Sequence, residues 1–266
     1  MRIEINETNL DYSDAGAGLP IIFIHAFPLN QTMWDDQVAA LRSGFRPITL
    51  DLRGFGKSDA PRGHYSVEQM AMDVRALMSA LSIEDAVIAG CSMGGYVALA
   101  FYRNYPGAVR ALVLSDTRAS ADTQEGRERR EKSAEKAVRE GARAIADDML
   151  PLLLGETTVA RRPEVVERVR RMAESSSPEG IAAAQRGMAA RPDSVYILAA
   201  IDCPSLILVG AEDKLTGPAE AVALRDGIPG SRLRIIESAG HLPNLEQPGE
   251  FNNALIEFLK TIPYEQ

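Results

Sequence analysis

Gly90-Cys91-Ser92-Met93-Gly94 is the stretch of this sequence best suited to chemistry. The apolar run Asp85-Ala86-Val87-Ile88-Ala89 precedes it, and the helical pattern Gly95-Tyr96-Val97-Ala98-Leu99-Ala100 follows. Strand, tight turn and helix in this order strain the backbone of the central serine and push its Oγ out above a sheet. Glycines on either side avoid collisions with the neighbouring strand and helix. Ser92 is therefore a candidate nucleophile. At a helix N-terminus, unpaired N–H groups and the positive end of the helix dipole would also stabilise a developing oxyanion. Glycine-serine-glycine patterns in arbitrary chains are more often plain turns, so the rest of the chain has to supply the partners.

A serine hydroxyl is a weak nucleophile at neutral pH. It needs a histidine within hydrogen-bond reach and a carboxylate that orients that histidine. Of the three histidines, His25, His64 and His241, only His241 follows Ser92, and serine, acid, histidine is the order expected for a nucleophile on such an elbow. His241 lies in Ser238-Ala239-Gly240-His241-Leu242-Pro243-Asn244-Leu245-Glu246, after the strand-like run Leu233-Arg234-Ile235-Ile236. That is a loop at the carboxyl end of a strand, where open parallel sheets gather ligands. Asp213 follows the run Pro204-Ser205-Leu206-Ile207-Leu208-Val209 through Gly210-Ala211-Glu212 and is the preferred acid, with Glu212 expected to point elsewhere. Asp116, ending the run Ala111-Leu112-Val113-Leu114-Ser115, is the competing acid, since a carboxylate there could reach the same histidine from the adjacent strand. Met93, the residue after the nucleophile, offers the first oxyanion donor through its backbone N–H, and a loop after an earlier strand normally offers the second. The run Pro20-Ile21-Ile22-Phe23-Ile24 ends in His25-Ala26-Phe27-Pro28. Phe27 N–H is the expected donor there, because Pro28 has none to give. His25 is expected to be structural.

His25-Ala26-Phe27-Pro28, Asp51-Leu52-Arg53-Gly54-Phe55-Gly56-Lys57-Ser58, Gly90-Cys91-Ser92-Met93-Gly94-Gly95 and the segments around Asp213 and His241 stand in an order and spacing that resembles the α/β-hydrolase superfamily nearly end to end. Within it the chain is similar to small bacterial carboxylesterases, 3-oxoadipate enol-lactonases and cofactor-free haloperoxidase or perhydrolase types, which share the Ser-Met-Gly-Gly elbow and a tryptophan placed like Trp34. The resemblance implies a serine hydrolase that cleaves a small carboxylic ester or lactone through an acyl-enzyme, with a Ser92-His241-Asp213 triad and neither cofactor nor metal. An enol-lactonase or perhydrolase step is the alternative, and a ligand sensor that keeps the hydrolase pocket is the alternative of another class. Ala26 stands where the family commonly has glycine, which puts a methyl group beside the presumed acyl pocket. Ala26, Trp34, Tyr96 and Leu153 are the candidate pocket residues. Haloalkane dehalogenases and epoxide hydrolases of this fold use an aspartate where Ser92 stands, and the histidine segment lacks the His-Trp pair of the carbon–carbon bond hydrolases.

The elements that must position these residues are legible as alternation. A strand-turn-strand pair is expected within residues 2–12, then strands near 20–24, 47–51, 86–89, 111–115, 205–209 and 232–236, with helical patterns between most of them. This predicts an α/β fold, a mostly parallel twisted sheet covered by helices on both faces. The alternation stops between about residues 116 and 200, where helical patterns follow one another. The expected organisation is thus a core domain of residues 1–116 and 198–266 with a helical cap inserted at 117–197. The first cap segment, Glu125-Gly126-Arg127-Glu128-Arg129-Arg130-Glu131-Lys132, reads as a solvated face with Glu128 to Lys132 and Glu135 to Arg139 at helix-supporting spacing. The second carries Ile145, Met149, Leu150, Leu152, Leu153 and Leu154, which could roof an acyl pocket or anchor the cap.

The 266 residues, 45% hydrophobic and 25% charged, suffice for a sizeable core. A net charge of −8 disfavours nucleic acid as a partner. Arg2, Glu4 and Glu7 interrupt the N-terminal segment, so neither signal peptide nor membrane span is expected and a cytoplasmic monomer or small homo-oligomer is. Two cysteines, Cys91 and Cys203, are poor material for a disulfide framework or metal site. The Arg53-Gly54-Phe55-Gly56 segment lacks the spacing of a phosphate-binding loop and is expected to be a turn.

Overall fold

A computed structural model describes residues 1–264. Its centre is an eight-stranded sheet of β1 (Arg2–Ile5), β2 (Thr8–Asp14), β3 (Pro20–Ile24), β4 (Arg46–Leu50), β5 (Ala86–Cys91), β6 (Val109–Ser115), β7 (Ser205–Gly210) and β8 (Arg232–Ile236), ordered β1-β2-β4-β3-β5-β6-β7-β8. β1 pairs with β2 and β2 with β4 antiparallel, and every pairing from β4 to β8 is parallel. Strands buried on both faces must be apolar throughout, and every residue of β3, β5 and β7 is buried. The order reverses around β3 and β5, so the loops after these two strands flank the crevice where ligands settle in open α/β sheets.

Side chains alternate between two apolar layers. On β3, Ile22 and Ile24 join the layer that includes α2 (Val67–Ala80) and α3 (Met93–Asn104). Ile21 and Phe23 join the opposite layer with α1 (Asp35–Leu41), the C-terminal helix, Pro248–Leu259, and the turn carrying Trp34. The Trp34 ring is 4.9 Å from Phe23 and 6.2 Å from Phe251. Such aromatic pairs account for the burial of the largest side chain in the protein.

Between β6 and β7 no strand occurs among the described residues, and the chain runs through α4 (Gln124–Glu140), α5 (Ala142–Leu153), α6 (Glu156–Arg161), α7 (Pro163–Glu174) and α8 (Pro178–Ala190). Side-chain caps set their starts: Thr123 Oγ1 accepts the Gly126 N–H at 3.1 Å and Ser177 Oγ accepts the Gly180 N–H at 2.8 Å. α4 packs chiefly on α8. The expected Glu128–Lys132 and Glu135–Arg139 pairs do not form among the described residues. Instead Arg129 bonds Glu125 at 2.7 Å, Glu128 accepts from Gln124 at 2.9 Å, and Arg130 turns inward to Asp122 and Gln185. The packing against α8 decides which face of α4 is solvated, and it turns Arg130 away from water. No helix among the described residues is long and apolar enough to cross a membrane.

Candidate active site

Ser92 occupies the turn between β5 and α3 with φ +54° and ψ −112°. This is left-handed territory that a non-glycine residue enters only when its surroundings dictate it. Those surroundings are tight: a Cβ at Gly90 would stand 2.1 Å from the Gly94 carbonyl oxygen, and one at Gly94 would stand 2.2 Å from the Ile24 carbonyl oxygen. The serine backbone is tied on both sides, its N–H donating to the Ser115 carbonyl at 2.9 Å and its carbonyl accepting from Thr117 Oγ1 at 2.8 Å. Met93 opens α3, so its N–H has no intrahelical acceptor. Phe27, from the loop after β3, is buried beside the same elbow and lines the same cavity as Ser92.

His241 Nε2 lies 2.7 Å from Ser92 Oγ, and its Nδ1 lies 3.0 Å from both carboxylate oxygens of Asp213. A carboxylate facing Nδ1 fixes the proton there, which leaves the Nε2 lone pair to accept the serine hydroxyl proton. Asp213 is itself held: Oδ1 accepts the Leu215 N–H at 2.8 Å and Oδ2 accepts the Thr216 hydroxyl at 2.9 Å. Burial would raise its pKa, but the charge and hydrogen bond of His241, with these two donors, outweigh burial and hold it down to about 2. Thr216, absent from the sequence expectations, thus orients the acid. Only its spacing of three residues from Asp213 hints at this.

Asp116 does not bond His241. Its Oδ1 accepts the Gly210 N–H at 2.9 Å and its Oδ2 accepts the Ser115 hydroxyl at 2.6 Å. Burial, followed by the nearby Asp213 charge, pushes its carboxyl well above the usual range. Asp116, Asp213 and His241 bring polar atoms within 4.8 Å of one another. The Nδ1 proton faces Asp213, however, so this histidine nitrogen has no lone pair for a cation at that spot. Glu212 turns away to Thr157, accepting its N–H at 2.9 Å.

Glu246 is a second residue that the sequence did not reveal. Fully buried, its carboxylate accepts the N–H groups of Gly240 at 2.9 Å and Leu242 at 3.1 Å, the two neighbours of His241, and of Gly155 at 2.8 Å. The His241 N–H in turn donates to the Leu153 carbonyl at 3.1 Å. Gly155 and Gly240 meet backbone to backbone, and a Cβ on Gly240 would stand 2.2 Å from the Gly155 nitrogen. The histidine loop is thus fastened to the junction between α5 and α6.

A cavity of about 300 Å³ opens on Ser92 and His241, lined also by Phe27, Tyr96, Met149, Leu152, Met188 and several polar side chains. Tyr96 is where the sequence expected it, and three pocket expectations are corrected. Trp34 is sealed between Phe23 and Phe251 in the opposite layer. Ala26 is fully buried in that layer, with its N–H donating to Met33 Sδ at 3.2 Å. Leu153 is also fully buried there and contributes only its carbonyl to the site. The apolar set of α5 and the residue after it divides: Met149 and Leu152 face the cavity, while Ile145, Leu150, Leu153 and Leu154 are buried in the core. His25 is structural, as expected. Its Nε2 accepts the Leu52 N–H at 3.0 Å, its Nδ1 donates to the Ala26 carbonyl at 3.0 Å, and burial lowers its pKa.

Comparison with known proteins accords with this architecture. The chain matches a malate-bound thermophilic esterase from Thermogutta terrifontis with 43% identity and a TM-score of 0.96, covering 98% of this chain and 99% of that one. The enol-lactonase from Burkholderia xenovorans LB400 superposes with a TM-score of 0.91 at 31% identity, covering 98% and 100%. By sequence, 3-oxoadipate enol-lactonase 2 from Acinetobacter baylyi is 30% identical over 240 residues, 90% of this chain and 88% of that protein. The sequence model of the alpha/beta hydrolase fold matches residues 20–248, and the chain belongs to that family.

Proposed function

We propose that the protein is a serine hydrolase that cleaves a small carboxylic ester or lactone through an acyl-enzyme. The observation that carries this reading is the continuous chain from Asp213 through His241 to Ser92 Oγ, ending in the cavity. Ser92 Oγ attacks the carbonyl carbon while its proton passes to His241 Nε2, and Asp213 stabilises the imidazolium. The Phe27 and Met93 N–H groups take up the charge that gathers on the carbonyl oxygen. The same proton then goes to the departing alkoxide, releasing the alcohol or opening the lactone. Water, deprotonated by His241, attacks the acyl carbon and frees Ser92. Residues 117–197 act as a cap, with Met149, Leu152 and Met188 forming the apolar side of the substrate cavity.

The named activities of the relatives, esterase and enol-lactonase, both fit acyl transfer of this kind. Ser92→Ala is expected to lower kcat/KM on a p-nitrophenyl short-chain ester by about three orders of magnitude or more, because nucleophile and base act as one unit. Wild-type turnover by a contamination-free preparation of that variant would end the reading.

A further inference from the structure

Arg118, Arg129 and Arg130 line the cavity, against Asp122 as its carboxylate. Arg129 is spoken for at the rim, where its largely exposed side chain bonds Glu125 at 2.7 Å. The other two belong to an inner cluster. Arg118, Arg130 and Arg191 all converge on Asp122, whose side chain is 1% exposed. Three guanidinium groups against one carboxylate leave an excess of two positive charges in a half-enclosed wall, and Glu220 adds one acid within electrostatic range of Arg118. Uncompensated charge out of water is costly, so such a wall is suited to an anion.

The three arginines are not equivalent. Arg191 is consumed by structure: it donates to the Met188 and Ser120 carbonyls at 2.9 and 2.8 Å and lies 4.1 Å over the Tyr96 ring. Arg130 also donates to Gln185 Oε1 at 2.9 Å. Arg118 has Asp122 as its hydrogen-bond partner, and its Nε is shielded from solvent with no acceptor among the described residues. Asp122 keeps two other guanidinium partners, so Arg118 can turn from it without stranding a buried charge. We propose that the cavity takes a small ester or lactone bearing a second, free carboxylate, and that Arg118, backed by Arg130, seats this carboxylate while the carbonyl meets Ser92. A carboxylate supplies two acceptor oxygens matched to the guanidinium fork. A neutral alkyl group in its place gives the guanidinium no acceptor and leaves the excess charge unopposed. The inference rests on the serine hydrolase reading for its reaction and on the arginine cluster for its specificity.

Monomethyl glutarate and dimethyl glutarate differ at one end only and test the point by titration of released acid. The wild type is expected to prefer the monoester by about tenfold or more in kcat/KM, the range of a charge-assisted hydrogen bond. Arg118→Gln is expected to cut that ratio by about tenfold, and Arg118→Lys to restore part of it, because the charge returns without the fork. Taking the ratio within one preparation removes any loss of folded protein from the comparison. A wild-type ratio near one, or a ratio that Arg118→Gln leaves unmoved, overturns the assignment. If the wild type hydrolyses neither ester, the hydrolase reading is judged by the p-nitrophenyl ester and Ser92→Ala alone, and calorimetry on Ser92→Ala decides the anion site. Tighter binding of the monoester than the diester supports it, and equal affinity refutes it.

Discussion

Replacing Asp213 by asparagine should abolish nearly all activity without removing a hydrogen bond, and the surroundings of Asp213 show why. Oδ1 receives the Leu215 N–H at 2.8 Å and the Thr216 N–H at 3.3 Å, so the amide oxygen of Asn keeps that side. The NH2 group then takes the place of Oδ2, 2.9 Å from Thr216 Oγ1 and 3.0 Å from His241 Nδ1. The hydroxyl can turn and accept one amide proton. Nδ1 must accept the other, which moves the ring proton to Nε2. His241 then presents an N–H to Ser92 Oγ across 2.7 Å and has no lone pair for the serine proton. A wrong tautomer with intact geometry costs about 10⁴-fold in kcat, equivalent to about 5 kcal/mol of barrier. Asp116→Asn is the matched control, since Asn can accept the Gly210 N–H and donate to Ser115 Oγ, and its kcat should stay within about threefold of wild type. Steady-state hydrolysis of p-nitrophenyl acetate near neutral pH reads both. A loss below tenfold in Asp213→Asn, or orders of magnitude in Asp116→Asn, would refute the assignment of the acid.

Glu246→Gln turns an amide NH2 toward backbone N–H groups on one side, that of Gly155 in place of Oε2 or those of Gly240 and Leu242 in place of Oε1. Thermal or urea unfolding should show a loss of about 1–3 kcal/mol, the cost of a buried donor left without an acceptor. Acid titration of stability follows from the depressed pKa of Asp213. Its folded value lies below its unfolded value, so its contribution is complete above about pH 4 and disappears as pH falls through about 2, a change of about 2 kcal/mol. Asp116 behaves in the opposite sense, its raised value making the native state lose stability as pH climbs above the unfolded pKa. Asp116→Asn should therefore gain on the wild type as pH rises from acid to neutral, and parallel urea midpoints across that range would contradict the raised value.

Much of the fold was legible because both-face burial makes the inner strands continuous apolar runs. The expected run at 86–89 extends through Gly90 to Cys91, since the elbow begins only where Ser92 leaves the ladder. The meeting of Ser92 and His241 was legible because elbow and loop are local devices, written in a few adjacent residues. The choice between Asp213 and Asp116 was less so, as both end neighbouring strands. What separates them is side-chain direction, set by Thr216 and Leu215 in one case and by Gly210 in the other. The arginine wall was invisible, because the mixed charges of α4 look like a solvated helix until α8 covers one side and brings Gln185 to Arg130. Trp34 misled for a related reason: a tryptophan's shared place in the sequences of similar proteins does not reveal which side of the sheet its ring will occupy.

The contact between Gly155 and Gly240 also bears on how this scaffold could be re-engineered. Two main chains touch there with no space for even one methyl group, and a single buried carboxylate rivets them together. A mutant library that seeks new substrates should leave this joint alone, because any side chain inserted at it would pry His241 from the Ser92 hydroxyl. Diversity belongs instead at Gln185, Met188, Met149 and Leu152, which border the same hollow but carry none of the framework that holds His241 in place.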